Sequence, residues 1–167
     1  MKDIAFVLFI NTVSGSKVGH EYLSLEAEEI NFRVTNKPSI HVFFYDLFDV
    51  PNRMKGLQTV KRYQDEYDMR VIICGGDGSV LWVVQEVIDA GADLEKIIFG
   101  IIPIGTGNDF SRSLGWTVTT PFSDTNLGGL KGIIKEWMRA SIRKYDIWDL
   151  EMELHEGGDI RRIKNRR

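Results

Sequence analysis

A single cysteine, Cys74, stands in 167 residues, which excludes an internal disulfide and any cysteine-based zinc site and leaves that side chain to act as a small buried hydrophobe. Histidine is almost as scarce. His20, His41 and His155 lie far apart without ligand-like spacing, so surface or core roles outweigh metal binding. No apolar run approaches the roughly 20 residues that span a bilayer. The start Met1-Lys2-Asp3-Ile4 leads straight into a strand pattern in place of a signal peptide. A basic face interleaved with aromatics is missing too, and with it the footprint of a nucleic-acid binder. What remains is an ordinary soluble composition, 43% apolar and 27% charged, long enough for one domain with a full core and a fragment of another. A cytoplasmic protein is expected. The net charge of −3 hides an asymmetry: Arg161, Arg162, Lys164, Arg166 and Arg167 crowd the last seven positions with no acid among them, behind an acidic body. Such a tail can meet anionic lipid or nucleic acid, or be a solvated terminus; the start of a further structural element is the preferred reading.

Strand and helix patterns alternate. Residues 4–10 are a continuous apolar run, expected of a strand buried on both faces of a parallel sheet. Residues 20–29 are weakly helical, and 31–39 read as a loop. Residues 40–47 read as a second strand, 56–67 as an amphipathic helix, and 71–74 as a third strand. An apolar helix follows over 79–90, then a strand over 97–102, a short helix over 109–114 and an amphipathic helix over 130–143. This order predicts an α/β fold, a three-layer α/β/α nucleotide-binding domain with a mainly parallel, doubly wound sheet. After Tyr145 the period changes. Trp148, Leu150, Met152 and Leu154 alternate with Asp149, Glu151, Glu153 and His155, and Glu156-Gly157-Gly158-Asp159 reads as a hairpin turn. Residues 1–144 are therefore expected to form the nucleotide-binding domain, and residues 145–167 the first strand or strands of a truncated β-rich second lobe. An unpaired strand edge there would favour a homodimer.

Two stretches carry chemistry. In Ile72-Ile73-Cys74-Gly75-Gly76-Asp77-Gly78-Ser79 a buried strand breaks into glycines and re-enters a helix. Gly75, Gly76 and Gly78 free the backbone for φ > 0 and for close approach of an anion to main-chain N–H groups. The first-turn N–H donors and positive end of the following helix face the same anion. That is a phosphate cradle, although such a tripeptide is as often only a tight loop. Asp77 inside it repels phosphate unless a cation intervenes, which points to Mg²⁺ held partly by Asp77. The second stretch, Gly105-Thr106-Gly107-Asn108-Asp109, repeats the logic after the next buried strand. Asp109 either caps the helix that follows or adds a second carboxylate near a metal. Neither loop is a dinucleotide-binding G-x-G-x-x-G or a Gly-Lys-Ser/Thr P-loop. Two glycine loops at neighbouring strand ends favour a polyphosphate site far more than either alone.

Gly-Gly-Asp-Gly-Ser followed by Val80-Leu81-Trp82-Val83-Val84, then Pro103-Ile104-Gly105-Thr106-Gly107-Asn108-Asp109-Phe110-Ser111-Arg112 with Leu114-Gly115-Trp116, resembles the eukaryotic diacylglycerol kinase catalytic domain. The segment Phe9-Ile10-Asn11-Thr12-Val13-Ser14-Gly15 resembles that family's Asn-Pro-x-Ser-Gly segment, with Thr12 in place of proline. Tyr45-Asp46-Leu47, Gly56-Leu57 and Tyr145-Asp146-Ile147-Trp148 resemble further landmarks in the same order. Sphingosine and ceramide kinases share the first glycine loop; the second loop and Trp82 favour diacylglycerol kinases. The resemblance implies transfer of the γ-phosphoryl group of ATP, with Mg²⁺, to the hydroxyl of diacylglycerol at a membrane surface, giving phosphatidic acid, with sphingoid-base or ceramide kinase and a non-catalytic nucleotide-binding module as alternatives. It assigns Gly75, Gly76, Gly78 and Ser79 to the nucleotide phosphates, and Asn11, Ser14 and Gly15 to the nucleotide. Gly105, Thr106, Gly107 and Asn108 complete the cleft, and Asp77 and Asp109 serve the metal. A peripheral membrane association of the full-length protein, and little or no activity of these 167 residues alone, are the corresponding expectations.

Overall fold

The structure is a computed structural model that describes residues 2–13, 18–24, 29–33, 37–116, 127–148 and 151–159. Strand β1 (Ile4–Ile10) is buried along its whole length, and its alternating side chains feed two cores on opposite faces. Ile4, Phe6, Leu8 and Ile10 meet Tyr22 of α1 (Val18–Leu23) and Leu130, Ile133 and Trp137 of α5 (Leu127–Arg139). Ala5, Val7 and Phe9 meet Leu57 and Val60 of α2 (Val50–Tyr63) and Val80, Val83 and Val87 of α3 (Asp77–Asp89). The sheet is thus the middle of three layers. Each large aliphatic side chain buried there contributes about 1.5–3 kcal/mol of transfer free energy, which makes β1 the strand both cores depend on.

The sheet order is β2-β3-β1-β4-β5. Strands β3 (Ile40–Asp46), β1, β4 (Asp68–Gly75) and β5 (Ile97–Pro103) are parallel, with Ile10 opposite Asp46 and Cys74 and with Gly75 opposite Pro103. The carboxyl ends of four strands therefore lie in one row, the edge where ligands bind in open α/β sheets. Helix α5 is tied down at its far end by Arg70. The guanidinium lies 5.5 Å from the centre of the Phe6 ring, donates to the Trp137 carbonyl at 3.3 Å and to the Asp68 carboxylate at 3.0 Å, and so places a cation at a helix C-terminus.

Several boundaries differ from expectation. Residues 31–39 are not all loop, because Glu29–Phe32 forms β2, an antiparallel edge strand on β3. Four residues of alternating polarity make a weak signal, and the strand is held by the main-chain ladder and by the His41 imidazole 2.8 Å from the Glu29 carboxylate. Helix α2 begins at Val50, six positions before the expected start. The Asp49 carboxylate accepts the Asn52 N–H at 3.1 Å and Pro51 sits in the first turn, two start signals that periodicity alone overlooks. Helix α5 likewise starts three residues early and ends at Arg139. The largest departure is at the C-terminal end. The described residues of the alternating segment, 148 and 151–155, form no strand, and Trp148 is 87% exposed. Only the turn forms, with the Gly158 N–H donating to the His155 carbonyl at 2.8 Å and Gly157 at φ +84°. An amphipathic strand needs a ladder partner and a surface to cover its apolar side. Among the described residues it has neither, so the unpaired strand edge expected to favour a homodimer is not formed there.

Two glycines in helices calibrate the packing. A Cβ on Gly56 would lie 2.7 Å from atoms of both Phe9 and Tyr45, so α2 approaches the sheet only because position 56 has no side chain. Gly56→Ala is expected to lower unfolding stability by about 1–3 kcal/mol through overpacking. Gly132→Ala, in α5 with no neighbour within 4 Å, is expected to raise it by about 0.5–1 kcal/mol through reduced unfolded-chain entropy. Urea denaturation of the two variants checks both signs. At Cys74, burial pushes the thiol well above its ordinary pKa, so an aromatic disulfide reagent at mildly alkaline pH is expected to modify it only after denaturation.

Candidate nucleotide site

Main-chain ladders continue one residue past the strands. The Asn11 N–H donates to the Cys74 carbonyl at 2.8 Å, the Leu47 N–H to the Ile10 carbonyl at 2.8 Å, and the Ile104 N–H to the Gly75 carbonyl at 3.2 Å. The loops after β1, β3 and β5 are thereby pinned side by side at their first residues. Further side chains brace the row. The Thr12 hydroxyl donates to the Asp46 carboxylate at 3.1 Å, a bond the proline expected at that position could not make. Arg53 of α2 donates to the Leu47 carbonyl at 2.9 Å and lies 5.1 Å from the centre of the Trp82 ring on α3. Trp82 in turn donates to Glu86 at 2.9 Å and meets Phe48 edge to face. Trp82, singled out by resemblance, is thus a strut between the loop after β3 and helix α3.

The first glycine loop owes its shape to missing side chains more than to unusual dihedrals. Gly76 has φ −99°, and no positive φ occurs at Gly75, Gly76 or Gly78, contrary to expectation. At Gly75 a Cβ would fall 2.5 Å from Ser79 Oγ, so the glycine is needed for Ser79 to fold back. Ser79 is 7% exposed and its Oγ accepts from Asn11 Nδ2 at 2.8 Å. The structure therefore brings Asn11 and Ser79 together, but as a brace between β1 and α3 that leaves only the serine proton to offer a phosphate. Helix α3 opens at Asp77 with Gly76 as its N-cap and no side chain satisfying its first turn. The Ser79 N–H donates to the Gly76 carbonyl at 2.9 Å, which leaves those of Asp77 and Gly78, with the positive helix end, to suit an anion. Gly78 is exposed with no neighbour within 4 Å of a would-be Cβ, which keeps that approach open.

The second loop folds onto the first. A Cβ on Gly105 would lie 2.6 Å from Gly76 Cα, so the two main chains are in direct contact. Asn108, not a glycine, holds the one left-handed non-glycine conformation among the described residues, φ 54° and ψ 38°. It is 2% exposed, and its amide makes two bonds to Gly105, accepting from the N–H at 3.1 Å and donating to the carbonyl at 2.6 Å. Asn108 is therefore a loop-closing group, with its side-chain amide engaged by the Gly105 main chain. Thr106 and Gly107 remain exposed at the tip, and Arg112 donates to the Gly107 carbonyl.

The carboxylates divide their work differently from expectation. Asp77 accepts the N–H of Asp109 at 3.0 Å and of Phe110 at 2.9 Å, and so caps α4 (Asp109–Ser113) from across the cleft. The capping role open to Asp109 is taken by Asp77. Asp109 itself pairs with Arg112 at 3.1 Å, and its side chain is 84% exposed. Both carboxylates border Gly107, where a Cβ would lie 3.4 Å from Asp77 Oδ2 and 4.0 Å from Asp109 Oδ2. Among the described residues no three acidic, histidine or cysteine side chains are grouped as a metal site. Two carboxylates do fit Mg²⁺, which takes one or two from a protein and its remaining oxygens from phosphates and water. Ser14 and Gly15 lie outside the described residues. Asp46, noted only as a landmark, proves to brace this edge: its Oδ1 also accepts the Phe48 N–H at 2.8 Å.

The loop contact generates an expectation of its own. Gly105→Ala must separate the two main chains, and a stability loss of about 1–3 kcal/mol is expected from the forced shift. Gly107→Ala, whose nearest neighbour at 3.4 Å is a carboxylate oxygen, is expected to stay within about 0.5 kcal/mol of the parent. Denaturant midpoints of the two variants decide it.

Residues 5–147 match the family described as the diacylglycerol kinase catalytic domain. Among curated relatives, the chain is 34% identical over 146 residues to human diacylglycerol kinase kappa and 31% identical over 144 residues to diacylglycerol kinase eta of Mesocricetus auratus, in each case over 86% of this chain. It is 29% identical over 158 residues to diacylglycerol kinase 7 of Arabidopsis thaliana. The chain spans 10% and 11% of the kappa and eta relatives' lengths and 31% of the Arabidopsis one. No solved structure matches it. With the matched segment running from β1 through both glycine loops and past α5, the chain belongs to the diacylglycerol kinase catalytic domain family.

Proposed function

We propose that this chain is the nucleotide-binding part of a lipid kinase that transfers the γ-phosphoryl group of ATP to the free hydroxyl of diacylglycerol, giving phosphatidic acid. The observation that carries the reading is the apposition of the two glycine loops, Gly76 against Gly105, beside the uncapped start of α3. Phosphoryl transfer asks a protein mainly to position reactants and to neutralise charge on phosphate oxygens. The first-turn N–H groups of Asp77 and Gly78 in α3 supply fixed donors for the nucleotide phosphates without reorganisation, while that of Ser79 closes onto the Gly76 carbonyl at 2.9 Å. The exposed tip at Thr106 and Gly107 closes the other side of the cleft. Asn11 acts through Ser79, whose hydroxyl it orients. Asp109 and the unshared lone pairs of Asp77 would hold Mg²⁺, which when bound neutralises the phosphate oxygens. No helix among the described residues is long and apolar enough to cross a membrane; in this reading the hydroxyl of diacylglycerol, a bilayer lipid, is met at a membrane surface.

Gly78→Asp separates ligand chemistry from folding. A carboxylate in the first turn of a helix is favourable to the helix itself by about 0.3–1 kcal/mol, and position 78 has room for it. The same charge beside a triphosphate is repulsive. The variant is expected to keep its melting temperature while Mg-ATP binding weakens about tenfold or more, the scale of one lost electrostatic contact. For the parent chain, Mg-ATP at about ten times Kd adds roughly 1.4 kcal/mol, a rise of roughly 3–6 °C for a domain of this size. A thermal-shift series with Mg-ATP, Mg-GTP and NAD checks this. An equal or larger shift with NAD, or none with ATP at millimolar concentration, would refute the nucleotide reading. Transfer of labelled phosphate from ATP to diacylglycerol in vesicles by the full-length protein tests the substrate.

A further inference from the structure

We propose that Asp77 is a positioning residue that sets the geometry of the phosphate site through the main chain of the second glycine loop, whether or not a metal is bound. Three observations converge. Each oxygen of its carboxylate accepts one main-chain N–H from the start of α4, at 3.0 and 2.9 Å. Helix α4 has no other cap among the described residues, since its N-cap residue, Asn108, makes no capping bond and spends its amide on Gly105. And the loop so held carries a strained left-handed Asn108, a conformation that persists only where its surroundings enforce it.

Asp77 stands in the first turn of α3, the element whose N–H groups face the nucleotide in the proposed function. Its side chain therefore couples the two halves of the cleft directly. Carboxylate bonds to N–H groups are charge-assisted and about twice as strong as neutral ones, and two made by one side chain fix orientation as well as distance. Without them the Gly105–Asn108 turn keeps its internal amide bonds but loses its register against Gly76. The substitution effect then has two parts, a loop part independent of metal and a ligand part that appears only with metal.

The role in nucleotide binding rests on the proposed function; the latch itself does not. Amide hydrogen exchange on the nucleotide-free chain tests the latch. Asp77→Asn keeps size but presents an NH₂ group to one of the two amides, and exchange at Asp109 and Phe110 is expected to accelerate at least about tenfold, while the α3 amides of Val83 and Val84 stay within about threefold of wild type. ATP affinity is then measured with Mg²⁺ and with EDTA. The expected result is a loss of similar factor in both. Unchanged protection at Phe110, or an affinity loss confined to the Mg²⁺ arm, would overturn the proposal and leave Asp77 a metal ligand alone. If the wild-type chain binds no ATP in either arm, the proposed function falls and the exchange result decides the latch by itself. Asn108→Gly, which relieves the left-handed strain and removes the bonds to Gly105, is expected to loosen Gly105 without loosening Phe110.

Discussion

The parallel ladder that continues one residue beyond each strand end is the constraint on which the site depends. Because Asn11, Leu47 and Ile104 each donate an N–H to a carbonyl in the last two residues of the neighbouring strand, three loops leave the sheet from fixed points in one row. Main-chain spacing between parallel strands is only about 4.8 Å. Two loops that start so close and turn toward one another collide unless one or both lack Cβ atoms, and Gly76 and Gly105 are the residues at the point of contact. The glycines thus answer a steric demand of the sheet before they answer any ligand.

Polar groups around this edge mostly hold the protein to itself. Asn11 reaches Ser79, Thr12 reaches Asp46, Asn108 reaches Gly105, and Asp77 reaches α4. Such bonds orient loops that would otherwise be mobile, and they leave main-chain N–H groups as the principal donors for a ligand. That division suits phosphate chemistry, where rigid donors avoid the reorganisation cost that flexible side chains incur. The aromatic strut formed by Trp82, Phe48 and Arg53 extends the same principle outward by fixing α3 against the loop after β3.

Much of this was legible in the residues. The all-apolar β1, the alternation of strands and helices, and both glycine loops follow from hydrophobic period and from glycine placement, properties that act over a few residues. Two differences from the sequence reading share a cause. Strand β2 exists only because β3 offers it a ladder, and the alternating segment after Tyr145, with the same period as a strand, forms none among the described residues for want of such a partner. The early start of α2 is a different case, since Asp49 and Pro51 announce it and the spacing of apolar residues obscured them.

Sequence by itself determined the class of fold, the position of the two loops and the family, because each depends on local pattern and on residue type. Only the tertiary structure decided what the acidic and amide side chains do. That Asp77 reaches the start of α4, that Ser79 folds back over Gly75 to meet Asn11, and that Asn108 closes its own loop are set by distances between residues up to 68 positions apart in the chain. Those distances come from the register of the parallel sheet, and no spacing read along the chain contains it.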